Sequence, residues 1–192
     1  MILRETKFYF LLLLLIHLIV IPASGKERGG FKVLNLKAEF QTNPIGIDVS
    51  PRLSWQIKSD KRDFSQVAYH ILVASSLDRL NTEKADVWNS GKVMSSQSLG
   101  VNINNRELLS RQRYYWKVRV WKNDREVSDW SGPAYFEMGL LSPNDWKSSW
   151  IGYVPGMPGR VLYFKGTFVP RMAIKQARAY VSGLGFYELS IN

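Results

Sequence analysis

The stretch RYYWKVRVW, residues Arg113 to Trp121, decides the fold class. Side chains alternate between the two faces of a β-strand, so this stretch predicts one apolar face and one mixed face. The first face is Tyr114, Trp116, Val118 and Val120, and the second is Arg113, Tyr115, Lys117, Arg119 and Trp121. The stretch therefore predicts a strand that covers a core on one side.

Shorter alternating runs separated by turn residues precede and follow this strand. Leu53-Ser54-Trp55 and the run 69–73 repeat the pattern at intervals typical of consecutive strands, and no segment sustains a helical period. The sequence thus predicts an all-β protein with a fibronectin-III/Ig-like antiparallel β-sandwich, with Trp55, Tyr114 and Trp116 in its core. Tyr114 follows Leu108 at the spacing of a tyrosine corner.

Changes in composition divide the chain into parts. Residues 26–139 carry the sandwich pattern, and residues 140–159 form a junction rich in Trp, Pro and Gly. Residues 160–192 carry further alternating runs, at 162–168, 177–181 and 187–191, which predict the start of a second, jelly-roll-like sandwich. Three strands cannot enclose a core. We therefore expect this second domain to be an incomplete part of a longer protein.

The N-terminus has the features of an export signal. Two basic residues precede an apolar run, Phe8 to Ile21, of roughly 14 residues, which is shorter than the ~20 needed to span a bilayer. Pro22 and the small residues 23–25 follow. We predict a cleaved signal peptide at 1–25, a periplasmic or extracellular location and no membrane span after cleavage. An uncleaved anchor is the alternative.

Composition excludes several kinds of site. The chain has no cysteine, which excludes disulfides and thiolate chemistry, and its net charge is +10. The basic residues are scattered without a run, so we interpret most of them as solvated strand faces and expect no nucleic-acid partner. A polyanion site remains the alternative.

Few residues could carry catalysis. His70 is the only histidine after the predicted signal, it lies on the outward face of its strand, and most aspartates fall at turns. A Ser-His-Asp set and a zinc site are therefore not indicated, and the turn 182–185 opens no helix that could hold a phosphate. We nominate no catalytic, cofactor-binding or metal-binding residue.

The outward aromatics offer the remaining candidates. Tyr115, Trp121 and Trp130 could stack on sugar rings, or they could sandwich cations as a structural ladder. The structural interpretation is the more common one.

A series of motifs gives the chain a family resemblance. In order, they are 43–48 (NPIGID), 51–55 (PRLSW), 69–74 (YHILVA), 88–93 (WNSGKV), 113–121, 130–131 (WS), 136–141 (FEMGLL), and 145–152 with its two tryptophans. This set resembles the N-terminal region of bacterial α-L-rhamnosidases of glycoside hydrolase family 78. Residues 177–189 resemble the start of the next sandwich in that family.

The resemblance implies a function for a longer parent protein. Members hydrolyse terminal α-L-rhamnose with inversion, using two carboxylates on a downstream helical barrel, to which no residue of this chain corresponds. The chain would then be a non-catalytic scaffold whose rhamnose-containing glycan partner is bound by the downstream domains. Two alternatives remain open: a free-standing carbohydrate-binding module, and a structural or adhesion protein of fibronectin-like repeats.

Overall fold

The computed structural model describes residues 30–103, 107–152, 162–170 and 172–191. The predicted signal peptide at 1–25 lies outside these residues. The chain divides into two compact units, Met1–Lys147 and Ser148–Asn192, which are described separately below. No helix within the described ranges is long and apolar enough to cross a membrane.

The described part of the first unit contains nine β-strands, one short α-helix and one 3-10 turn. In chain order they are β1 (Phe31–Ala38), β2 (Ile45–Ile47), β3 (Arg52–Ser59), β4 (Ala68–Ala74), α1 (Leu77–Asn81), β5 (Trp88–Asn89), β6 (Val93–Met94), β7 (Val101–Asn102), β8 (Arg113–Trp121), β9 (Ala134–Met138) and the 3-10 turn Pro143–Asp145.

The strands form two sheets. One has three strands in the order β1-β3-β7, and the other has six, in the order β2-β9-β8-β4-β5 with β6 also paired to β4. β8 has the bounds that the sequence predicted, and it lies between β4 and β9 in antiparallel register. The prediction of an all-β sandwich is therefore confirmed. One pair departs from the antiparallel rule, because β2 runs parallel to β9.

A tight turn lets the chain pass from one sheet to the other between β1 and β2. Glu39 and Phe40 both have positive φ angles, 47° and 61°, and Ala38 and Gln41 close the turn with two backbone hydrogen bonds. Such angles are costly for residues other than glycine. Arg52 compensates, since its Nη2 lies 2.8 Å from Glu39 Oε2 and its guanidinium lies 4.9 Å from the Phe40 ring centre.

The core lies between the two sheets and contains the aromatics that the sequence placed there. Trp55, Tyr114 and Trp116 are buried, and the indole N–H of Trp55 donates to Gln66 Oε1 at 3.1 Å. The Leu109 N–H donates to Tyr114 Oη at 2.8 Å, which confirms the predicted tyrosine corner. Burial of these large rings is the main stabilising term available to a chain without disulfides.

The chain is held firmly where it leaves β9. The Gly139 N–H donates to the Ile47 carbonyl at 2.6 Å, and a Cβ at Gly139 would lie 3.2 Å from the Gly46 oxygen, so only glycine fits there without displacing backbone. Further on, Asp145 Oδ2 accepts from the Ser110 hydroxyl and from the Ser142 N–H. The segment that the sequence assigned to the junction thus begins as part of the first unit.

The described residues of the second unit differ from the sequence prediction. Residues 162–170 and 172–191 contain no strand, although the sequence predicted strands at 162–168, 177–181 and 187–191. Most apolar side chains in these ranges are exposed, Phe168 by 77% and Leu184 by 93%. The physical reason is that a strand needs a hydrogen-bonded neighbour, which an alternating pattern alone does not supply. A second sandwich therefore stays a prediction.

Candidate functional site

The sugar-stacking candidates lie on the outer face of the six-stranded sheet, away from the core. His70 projects from β4, Lys117, Arg119 and Trp121 project from β8, and Trp130 lies in the segment before β9. These five residues form the cation–aromatic cluster. His70 faces Arg119 in the register of the two strands, which brings the cluster together.

Arg119 lies at the centre of the cluster. Its guanidinium carbon is 5.2 Å from the centre of the Trp121 ring and 4.5 Å from that of Trp130. Its Nη2 donates to His70 Nδ1 at 3.2 Å. The sequence interpretation of a cation between rings is therefore correct, and each such contact stabilises by about 0.5–2 kcal/mol depending on burial.

His70 is a half-buried part of this cluster and not the isolated surface residue that the sequence suggested. Its ring centre is 5.0 Å from that of Trp130 and 6.5 Å from that of Trp121. Nε2 lies 2.7 Å from Asn89 Oδ1, which can only accept, so Nε2 carries the proton and Nδ1 accepts from Arg119. Burial lowers the pKa of His70; the Asn89 hydrogen bond opposes this shift, and the Arg119 charge adds to it.

Lys117 departs furthest from expectation. The sequence placed it on a solvated face, but it is only 8% exposed, with Nζ 4.9 Å from the centre of the Trp130 ring. Burial lowers the pKa of its ammonium group. Lys117 lies opposite Leu72 in the register of the two strands, and α1 brings the buried Leu80 against Leu72 and Ala74 on this face. With five residues, α1 is too short to show a helical period, and its N-cap Ser76 is the one local signal in the sequence.

An irregular segment places Trp130. Ser128 bonds through both its N–H and its hydroxyl to the backbone of Val120, and Ser131 bonds in the same way to Val118. The segment therefore advances three residues, from Ser128 to Ser131, where β8 advances two, from Val120 to Val118, as in a β-bulge. The next strand, β9, consequently starts only at Ala134. The Trp130 indole N–H donates to Glu83 Oε1 at 2.8 Å.

Tyr115 belongs to a neighbouring group. Its ring centre is 6.2 Å from that of Tyr135, and the Arg113 guanidinium lies 4.2 Å from the Tyr135 ring and 2.9 Å from Glu137. The structure thus brings Trp121 and Trp130 together around Arg119, and it places Tyr115 apart from them. Tyr115 and Trp130 both pack against the apolar cluster below α1.

The chemistry available on this face is binding by ring faces and N–H donors. The Glu137 carboxylate is ion-paired to Arg113, and Asp86 is paired to Arg79, so neither is free to act as an acid or base. Across the ranges that the structure describes, no three His, Cys, Asp or Glu side chains are grouped as metal ligands. Lys117 belongs to the outward row in which the sequence predicted cations stacked between rings, whereas Glu83 and Asn89 were not among the candidates, because they become neighbours of the rings only through the fold.

Comparison with known proteins places the sandwich in a family. Residues 33–142 match the model of the Rha78A-like, N-terminal immunoglobulin domain. An α-L-rhamnosidase of Formosa agariphila is 40% identical over 79% of this chain and 18% of its own length. A second from the same organism is 36% identical over 84% of this chain and 18% of its own length. The chain thus spans less than a fifth of the curated relatives it matches.

Solved structures give the same result. The crystal structure of the Streptomyces avermitilis α-L-rhamnosidase complexed with L-rhamnose matches with a TM-score of 0.60 and 40% identity, over 64% of this chain and 12% of that one. The α-L-rhamnosidase of Dictyoglumus thermophilum matches with a TM-score of 0.61 and 37% identity, over 64% and 14%. The chain therefore belongs to the family of Rha78A-like N-terminal immunoglobulin domains, and its homologues are α-L-rhamnosidases.

Proposed function

We propose that this chain is the non-catalytic, N-terminal scaffold portion of an exported α-L-rhamnosidase. The observation that carries the proposal is the match of residues 33–142 to a domain found at the N-terminus of these enzymes, together with the small share of the relatives' length that the chain spans. The parent would hydrolyse terminal α-L-rhamnose by an inverting mechanism, in which one carboxylic acid and one carboxylate act on opposite faces of the sugar.

The contacts of the described carboxylates support a role without catalysis. Glu39 is held by Arg52 and Glu137 by Arg113, while Asp145 closes the Ser110–Ser142 network at the end of the sandwich. An inverting pair needs two carboxyl groups facing one cleft with room for water between them. These three acidic groups instead serve a turn, an ion pair and a hydrogen-bond network, which is the pattern of a domain that holds its own shape.

The anchored exit after β9 supports the scaffold role. Gly139 is fixed against β2, and Asp145 is fixed to Ser110, so the chain leaves the sandwich along a set path. A scaffold domain must keep its own shape, and these contacts hold its last residues to the rest of the sandwich. Export is supported by the basic start, the short apolar run and the small residues at 23–25.

Activity assays test the proposal. The purified chain should not hydrolyse an aryl α-L-rhamnoside, and the protein encoded by the complete reading frame at the gene's locus should. Removing residues 33–142 from that longer protein should lower its stability. Any activity that the shortened protein keeps should still invert the stereochemistry at the sugar. Turnover by the 192-residue chain itself, abolished by one Asp→Asn or Glu→Gln substitution, would contradict the scaffold role. A reading frame that continues with further β-repeats would favour an adhesion protein.

A further inference from the structure

Two cations of the cation–aromatic cluster lack a carboxylate partner. Within the residues that the structure describes, neither Lys117 nor Arg119 forms an ion pair. A buried cation is usually paired, since removing it from water is costly. Glu83 is the acidic group whose charge reaches Lys117, but its carboxylate is exposed and accepts from the Trp130 indole. The cluster therefore keeps an excess of positive charge.

The same cations keep unused hydrogen-bond donors. In a cation–π contact the positive charge of an ammonium or guanidinium group is attracted to the ring face. The N–H groups that point away from the ring can still donate hydrogen bonds. In the described part of the chain neither the Lys117 ammonium nor Arg119 Nη1 has a hydrogen-bond acceptor; Arg119 Nε also lacks one but is too buried to reach a ligand. Arg119 Nη2 alone is engaged, with His70.

We infer that Lys117 and Arg119, walled by Trp121 and Trp130, form a binding site for the oxyanion of an acidic saccharide. A carboxylate or sulfate oxygen accepts charge-assisted hydrogen bonds from both groups, and it neutralises the charge that the fold leaves unpaired. The flanking half-buried indoles offer apolar surface to the carbon–hydrogen face of the sugar that carries the anion.

That the ligand is a saccharide rests on the proposed function. That the site binds an oxyanion rests on the geometry alone. A nucleic acid fits less well, because the cations that flank the cluster on this face are already in ion pairs, Arg113 with Glu137 at 2.9 Å. Lys92, the nearest further cation over Trp121, is already paired with Asp124 at 2.9 Å. The site thus suits one anionic group and not a charged backbone.

Calorimetric titration of the full chain tests the inference. The probes are a short oligogalacturonate, a sulfated malto-oligosaccharide and the neutral malto-oligosaccharide of the same length. At least one acidic probe should bind, more weakly as salt is added, and the neutral one should not. The two acidic probes distinguish a carboxylate site from a sulfate site.

Matched variants locate the binding. Lys117→Met keeps the buried stem and removes the charge, and it should weaken binding about tenfold or more. Lys92→Met removes an ion-paired lysine from the same face and should change binding by less than about twofold. Arg119→Lys, which keeps the charge but not the fork of donors, should also weaken binding.

Three results would overturn the inference: no binding of either acidic probe, equal binding of the neutral probe, or equal losses in Lys117→Met and Lys92→Met. The first two need no variant, so they stand even if Lys117→Met fails to fold. Because no rhamnosidase assay is involved, failure of the scaffold proposal would leave the titration result unchanged.

Discussion

Residues 113–121 and 162–168 share the same alternating pattern and differ in outcome. The first run is β8, which pairs with β4 on one side and β9 on the other. The second run contains no strand, and its apolar residues Leu162, Phe164 and Phe168 are exposed. Alternation creates a face that can be buried, but the backbone becomes a strand only when neighbouring strands satisfy its N–H and carbonyl groups. An alternating pattern is therefore insufficient by itself to form a strand.

Two phenylalanines give the strongest contrast between the regions. Phe136 in β9 is fully buried, whereas Phe168 is 77% exposed. Phe136→Ala should lower the free energy of unfolding by about 3–5 kcal/mol, because it leaves a cavity in the core. Phe168→Ala should change it by less than about 0.5 kcal/mol. Urea denaturation measures both, and equal losses would mean that the second run is packed as well as the first.

The tyrosine corner provides a smaller effect of the same kind. Tyr114→Phe removes the acceptor of the Leu109 N–H and should cost about 1–3 kcal/mol, since the donor loses its partner in a partly buried site. Tyr163→Phe, at an exposed tyrosine of the second unit, is the matched control and should be neutral. An unchanged free energy of unfolding in Tyr114→Phe would show that the corner does not stabilise the sandwich.

The sequence predicted which residues form the inner face of the sandwich, because in a strand every second side chain points to the same face. The bounds of β8, the burial of Trp55 and Trp116, and the Tyr114 corner all follow from alternation and short spacings. The parallel pairing of β2 with β9 joins residues about ninety positions apart, and nothing in residues 43–48 specifies that partner.

The outer face was harder to predict because its burial depends on elements without a pattern of their own. A five-residue helix packs Leu80 on Leu72, the cross-strand neighbour of Lys117, and Trp130 is placed by a bulge in which serine hydroxyls bond to β8. The cations between rings were foreseen from residue types alone. Which cation would be buried, and which would be ion-paired as Lys92 is, could not be read from the spacing.

His70 gives the smallest expected effect, a pH dependence confined to the first unit. Burial lowers its pKa in the folded state below the ordinary value of about 6.5, and Arg119 and Glu83 are the charged groups that face it. Below about pH 6.5 the unfolded chain then binds more protons than the folded one, so the free energy of unfolding falls as the pH falls through that window. His70→Gln should flatten this slope in melts between pH 5 and 7.5. An equal slope in both proteins would contradict the assignment.

Hydrogen–deuterium exchange of the intact chain tests the central difference most directly, because it reads backbone protection in both regions of one molecule. We predict that the amides of β4 and β8 exchange orders of magnitude more slowly than those of residues 162–170 and 172–191. Protection of residues 162–168 comparable to that of β8 would contradict the account, since it would show that the second alternating run also forms a hydrogen-bonded strand.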